Sequence, residues 1–324
     1  MVTATAAKPR FDLRLIAAFF AIYVIWGSTF LAIRTAVLLA PPWFCAGVRF
    51  FVAGGVLVAY ARLTGVKGPS LREWRSLAVL GLLMFTTTYG ALFWAEQYVP
   101  SGITSVLEAM IPLFTMGIEV FVLRQQRFSP RVLVAVVVGF IGVAVMLLKT
   151  GGQSFGVVPC LVIMVAGIAW SLGAVLTGVK TGRFAITLPA SRVLTSGAQM
   201  MIGGGVLLAI SAATGEIGRL GPVPSFPSKA AWALVYLILA GSLVGFTAFV
   251  YLLGRMPASR VASHAYVNPM VALALGYFLG GEEITVRTLA GAALVVGSVV
   301  LTLAPARSAD SFGQARLGSA ETSE

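Results

Sequence analysis

Charge is what this 324-residue chain has least of: 10% of its residues are charged, against 58% hydrophobic. A soluble domain carries about a quarter charged residues, so this chain lacks the material for a water-facing surface. Soluble enzymes and nucleic-acid binders are excluded on that ground. There are 11 acidic residues and 1 histidine, and neither an H-E-x-x-H pair nor a phosphate loop occurs. The Gly203-Gly204-Gly205 run lies inside an apolar stretch and cradles nothing. Cys45 and Cys160 stand alone in separate apolar runs, with no C-x-x-C pair and no His-rich tract. No disulfide framework or metal site follows from them. No enzyme activity, cofactor or metal is expected. The net charge of +12 is spread as short basic clusters between apolar runs, which does not suit a nucleic-acid stripe.

The chain therefore reads as an integral membrane protein. A bilayer core of about 30 Å takes roughly 20 apolar residues per helix. Charges, prolines and glycines cut the sequence into ten runs near 13–35, 43–62, 75–98, 100–123, 130–149, 156–178, 190–213, 229–253, 257–280 and 286–305. Continuous apolar runs rather than alternation exclude a β-barrel, and unpaired backbone in hydrocarbon leaves only helices. The run from Leu15 to Ile33 is too long for the core of a signal peptide, has no A-x-A site after it, and reads as a retained first span. Several links begin with proline, at Pro41-Pro42, Pro100, Pro130 and Pro257, which suits a first helical turn. The longer link from Gly215 to Ser228 reads as a surface loop, and 306–324 as a disordered tail. Counted on alternate sides, Lys and Arg number seventeen with the N-terminus and five opposite, with Arg49 inside a span. That asymmetry predicts cytoplasmic termini in a bacterial-type inner membrane.

The sequence also repeats. Residues 47–65 and 197–215 align without gaps at eight of nineteen positions, including Gly47, Gly54, Gly55 and Gly65. Pro100 and Pro112 of the fourth run fall on Pro257 and Pro269 of the ninth. Trp26 and Trp170 sit at similar depths in the first and sixth. Runs one to five (13–150) thus repeat as six to ten (156–305), after a short segment 1–12. An odd number of spans inverts the second copy. The predicted fold is an all-α membrane protein of ten transmembrane helices, two inverted five-helix repeats around a central cavity. Such halves can exchange conformations and open a central site to each side in turn.

Polar groups inside the spans are the candidate site. Arg49 lies about 9 Å and Glu108 about 12 Å below the same face, by helical rise, and are expected to form an ion pair. His264 is suited either to a proton-linked step or to a hydrogen bond within its helix. Asn268 with Tyr266 precedes Pro269, and Pro112 is its partner in the fourth run; both prolines are expected to kink their helices. Trp26, Tyr89, Trp170 and Tyr266 offer large faces for apolar, aromatic or cationic ligands. Trp43, Trp74 and Trp232 fall at span ends, as an interfacial belt does. Thr86 to Tyr89 form a polar turn, with Ser242 and Thr247 its counterpart. Ala135/Gly139 and Ala293/Gly297 are expected to pack helices five and ten.

The segments IWGSTFLAIR at 25–34, GVRF at 47–50, VPSGITSVLEAMIPLFT at 99–115 and AYVNPMVALALGYFLGGE at 265–282 resemble the drug/metabolite transporter superfamily. Within it they are most similar to amino-acid and metabolite exporters of the EamA family. The resemblance implies ten helices around a cavity lined chiefly by spans three, four, eight and nine, and cargo such as amino acids, often aromatic, or toxic organic cations. The family's acid after the ninth span is matched by Glu282, whereas its counterpart after the fourth is Gln125. The expected function is export of amino acids and related metabolites by alternating access, with Trp26, Tyr89, Glu108, Trp170, His264, Tyr266 and Asn268 at the substrate. A multidrug or organic-cation exporter, a non-saturating channel and a static ligand-binding receptor are the alternatives. The partners expected are a small-molecule substrate and the lipid bilayer, and the chain can work as a monomer.

Overall fold

The structure, a computed structural model, describes residues 13–122, 130–147, 156–179, 185–220, 226–255, 261 and 263–303. Segments 1–12 and 306–324, and Gln125, lie outside the described residues. Among these residues the long regular elements are all helical. We number them α1 (Leu13–Val37), α2 (Pro42–Leu63), α3 (Leu71–Ala95), α4 (Ser101–Val122), α5 (Pro130–Leu147), α6 (Val157–Gly178), α7 (Arg192–Ala213), α8 (Ser228–Leu252), α9 (His264–Phe278) and α10 (Val286–Leu303). Within the long link, Ile217–Arg219 forms a short 3-10 turn.

Seven of these helices, α1 to α4 and α6 to α8, are long and apolar enough to cross a membrane, at 22 to 25 residues each. α5 and α10 have 18 residues and α9 has 15. At 1.5 Å per residue they reach ~27 Å and ~23 Å against a core of about 30 Å. The ten spans expected from the sequence are thus seven of spanning length and three shorter helices. In α9 the C-terminal end falls close to where the sequence placed it. The helix stops at Phe278, Gly281 lies beyond at φ +64°, and Glu282 N bonds back to Gly276 O at 2.9 Å. The described helix is shorter at its start, His264 against 257.

Four of the helices are not uniform. α1, α3, α4 and α8 carry π-helical stretches at Ala21–Ile25, Leu82–Thr87, Ile118–Val122 and Leu237–Val244. Such widened turns free carbonyls from the regular ladder and gather at functional sites. α4 is also interrupted at Ala109–Met110, just ahead of Pro112, whereas α9 continues through Pro269.

The repeated glycines have a direct structural role. α2 and α7 pack antiparallel so closely that a Cβ on Gly54 would stand 2.6 Å from Gly197 O, and one on Gly204 2.9 Å from Gly47 O. Exchanging the two helices carries the first contact onto the second. α5 and α10 meet in the same way, with a Cβ on Gly142 falling 2.8 Å from Gly291 O. Here the sequence reading needs correcting. Ala135 is buried and Gly139 faces α4 and α10, but Ala293 is exposed and Gly297 has nothing nearby; Gly291 is the small residue at the contact. The tryptophan belt also loses a member. Trp43 turns inward and its Nε1 donates to Gly90 O at 3.2 Å, while Trp74 and Trp232 stay exposed. Large apolar side chains such as Phe51, Val134, Leu161 and Phe278 cover the outside, a surface that suits lipid.

A side chain at the α2–α7 contact has no room to relax, because the opposing atoms are backbone. Gly54→Leu should lower stability by about 1–3 kcal/mol or more through overpacking, whereas Gly55→Ala, with nothing within 4 Å of its Cβ, should be neutral. Thermal denaturation of the two variants in detergent, followed by size-exclusion chromatography, checks this.

Candidate functional site

The helices enclose a cavity of about 620 Å³. Its walls include Trp26 of α1, Arg49 and Phe50 of α2, Tyr89 of α3, Glu108 of α4, Trp170 of α6, Ser242 and Phe249 of α8, and His264 and Asn268 of α9. The walls therefore extend beyond the third, fourth, eighth and ninth helices that the resemblance implied. Along α4 the lining runs from Ser105 to Glu119. Above it Val99, Ser101, Ile103 and Thr104 are buried and close that end. Glu119, Phe249 and His264 carry the lining toward the opposite end.

Two aromatic groups face each other across this space. Tyr89 lies 4.3 Å from Phe50, 5.9 Å from Phe85 and 6.0 Å from Trp170, centroid to centroid. Trp26 lies 5.3 Å from Phe249 and 5.2 Å from His264. The Trp26 Nε1 donates to Gly241 O at 3.0 Å, a carbonyl in the π stretch of α8. Gly245 makes room for the indole, since a Cβ there would collide with it. Trp26 of α1 thus packs on α8, and Trp170 of α6 packs on α3.

The charges are arranged differently from expectation. Arg49 is buried at 3% exposure. Its Nε donates to Ser242 Oγ at 3.1 Å, and its guanidinium stands 4.6 Å from the Phe50 ring and 5.4 Å from the Tyr89 ring. Arg49 and Glu108 do not pair: Arg49 Nη1 and Glu108 Oε1 are both buried without a hydrogen-bond partner. Ser242 and two ring faces hold the guanidinium on its own side, so the two opposite charges line one cavity unmatched.

The ion pair that does form lies at the closed end. Arg34 Nε sits 3.4 Å from Glu282 Oε1, and its Nη1 donates to the carbonyls of Glu96 and Val99 at 2.6 and 2.8 Å. Glu282 in turn accepts from Ser101 N at 2.7 Å and Gly102 N at 3.1 Å. A carboxylate on the first amides of a helix is favoured by the helix dipole. Beneath this group Glu96 is fully buried, with both carboxylate oxygens unpartnered. Glu96 was invisible as a site in the sequence because it falls at a span end, where an acid normally meets water.

The remaining candidates divide. His264 is in the wall, with Nδ1 2.9 Å from Val261 O. Asn268 binds protein as well as lining the cavity. In the amide orientation that satisfies both its side-chain atoms, it donates to the carbonyls of Ile22 and Tyr23 at 3.0 and 3.1 Å, both at the π turn of α1. Tyr266 packs against the core and is outside the lining. Thr86 and Thr88 are spent on helix contacts, donating to Gly203 O at 3.2 Å and Ala166 O at 3.1 Å. Phe30, Phe50, Phe85, Phe246 and Phe249 were missed, since phenylalanine facing a cavity and phenylalanine facing lipid read alike in a sequence.

A sequence profile of the EamA-like transporter family matches residues 13–148 and again 158–304. The chain belongs to that family. Among its relatives, the uncharacterized inner membrane transporter YedA of Escherichia coli (strain K12) is 36% identical over 90% of this chain and 91% of its own length. The uncharacterized transporter YvbV of Bacillus subtilis is 27% identical over 86% of this chain and 88% of its own. A probable amino-acid metabolite efflux pump of Salmonella typhimurium is 25% identical over 87% and 92%. A protein of known crystal structure matches with TM-score 0.58 and 19% identity, over 89% of this chain and 95% of its own, a likeness of fold alone. Membership makes this a transporter rather than an enzyme.

If Asn268 ties α9 to the π turn of α1, Asn268→Leu should leave buried carbonyls unpaired and cost about 1–3 kcal/mol, while Tyr266→Phe should not. Thermal midpoints of the two variants in detergent test this.

Proposed function

We propose that the protein is a secondary carrier that exports apolar and aromatic amino acids and related zwitterions by alternating access. The observation that carries this reading is the pair Arg49 and Glu108: opposite charges, each with an unpartnered buried atom, in the wall of one aromatic cavity. A buried charge without a partner is expensive. A zwitterion supplies a partner to both, its carboxylate to Arg49 and its ammonium to Glu108. Trp26, Tyr89 and Trp170 take the side chain, and His264 and Asn268 line the same space. An organic cation would match Glu108 and leave Arg49 facing a like charge. An open channel does not suit a cavity closed at one end.

The transport cycle in this reading uses all ten helices as two inverted five-helix repeats, with α5, α9 and α10 completing the set. The two-segment family match and the interchangeable glycine contacts of α2 and α7 support it. Both termini are placed in the cytoplasm by the basic-residue asymmetry. The inner-membrane relative from Escherichia coli favours the same membrane here.

Reconstituted into proteoliposomes, the protein should take up labelled phenylalanine saturably and show counterflow. Arg49→Gln should raise the KM for phenylalanine by about tenfold or more, the loss of a charge-assisted hydrogen bond. Competition by phenethylamine, which lacks the carboxylate and no longer meets the like charge of Arg49, should strengthen. Uptake that never saturates, or a wild type that binds the amine as well as the amino acid, contradicts the reading.

A further inference from the structure

The carrier reading leaves its energy source open, and one group on the structure is unused by it. Glu96 follows α3, at the turn into α4. It is completely buried, neither carboxylate oxygen has a hydrogen-bond partner, and it does not line the cavity. The charged groups that act on it are Arg34 from α1, Arg49 from α2, Glu108 from α4 and Glu282 from the α9–α10 link. With Glu96 itself this makes three carboxylates and two guanidiniums.

Neither guanidinium bonds to the Glu96 carboxylate. Arg49 is held by Ser242 and by the rings of Phe50 and Tyr89. Arg34 is paired with Glu282, whose two oxygens also accept the amide hydrogens of Ser101 and Gly102. The surplus carboxylate, enclosed and unbonded, stays in a low-dielectric site only as the neutral acid.

We propose that Glu96 is a proton-binding site of the carrier, so that export of substrate is exchanged for inward movement of a proton. Glu96 takes up a proton from water when the Arg34–Glu282 end is open, and becomes the buried acid seen here when that end closes. It releases the proton on the other side of the cycle. Arg34 is the element that permits this. Its Nη1 donates to the backbone carbonyl of Glu96 at 2.6 Å, its Nε lies 3.4 Å from Glu282 Oε1, and its charge acts on the Glu96 side chain without a hydrogen bond to it. When the contact with Glu282 breaks, the same guanidinium can compensate an ionised Glu96. Two arrangements of one arginine then correspond to two protonation states, a bistable element of the kind an alternating carrier needs.

The inference rests on the carrier reading, and one preparation separates the two. Wild-type protein and Glu96→Gln are reconstituted with entrapped pyranine and a potential clamped by potassium and valinomycin, with labelled phenylalanine as the probe. Counterflow without a pH gradient tests the carrier. Accumulation against a one-unit gradient tests the proton site. For one-for-one exchange the wild type should accumulate phenylalanine about tenfold per unit of gradient, with matching proton movement reported by pyranine. Glu96→Gln should keep counterflow and lose the accumulation, and Glu96→Asp should retain part of it. A wild type that shows counterflow but ignores the gradient overturns the proton site and leaves the carrier standing, whether or not the variants fold. A Glu96→Gln protein that still accumulates overturns it as well. Absence of counterflow overturns both.

Discussion

Two helices can meet backbone against backbone only where neither carries a side chain at the crossing, and α2 and α7 meet in that way at Gly47, Gly54, Gly197 and Gly204. Much of the rest follows from this contact. It holds a helix from each half of the chain in a fixed antiparallel register. Arg49 and Phe50 lie on α2 between its two contact glycines, and Met200 lies on α7 between its own. All three reach the cavity wall. The contact is equivalent under exchange of the two helices. α5 and α10 repeat the arrangement through Gly142 and Gly291.

Against that fixed frame the polar groups are few and unevenly satisfied. At the closed end Arg34, Glu282 and the first amides of α4 form a complete set: cation, anion and helix terminus. Inside the cavity Arg49 is held by one hydroxyl and two ring faces, and one oxygen of Glu108 is held by nothing. Satisfied polar groups fix a structure, and unsatisfied ones define what it waits for. In the proposed reading the aromatic rings take the apolar part of a ligand, and the unpartnered atoms of Arg49 and Glu108 its polar part. The π stretches belong to the same account, because the carbonyl of Gly241 in α8 holds the Trp26 indole and those of Ile22 and Tyr23 in α1 hold Asn268.

Much of this was legible in the sequence. Composition and run length gave an all-helical membrane protein, and the glycines shared by residues 47–65 and 197–215 turned out to be the close contacts. Trp26, Tyr89, Glu108, Trp170, His264 and Asn268 come from five distant parts of the chain, yet all line one cavity. The errors have physical causes. Equal depth for Arg49 and Glu108 suggested a pair, but depth says nothing about position around the helix bundle, and Ser242 on α8 was the nearer partner. Tyr266 and Trp43 were assigned from residue type, and the face each occupies depends on helix rotation, which continuous apolar runs do not encode. Glu96 and the five cavity phenylalanines carried no local signal at all.

The central claim is that the cavity closes at one end as it opens at the other. The native cysteines, Cys45 and Cys160, are both buried at 0% exposure, so spin labels can be directed to introduced cysteines alone. One pair would replace Tyr98 and Phe278 at the Arg34–Glu282 end, and a second would replace Leu71 and Val122 at the other; all four are exposed. Double electron–electron resonance in nanodiscs, with and without phenylalanine, reads both distances. The account predicts that substrate shifts the two distributions in opposite directions, one pair separating as the other approaches. Distances that stay fixed, or that lengthen together, would contradict it.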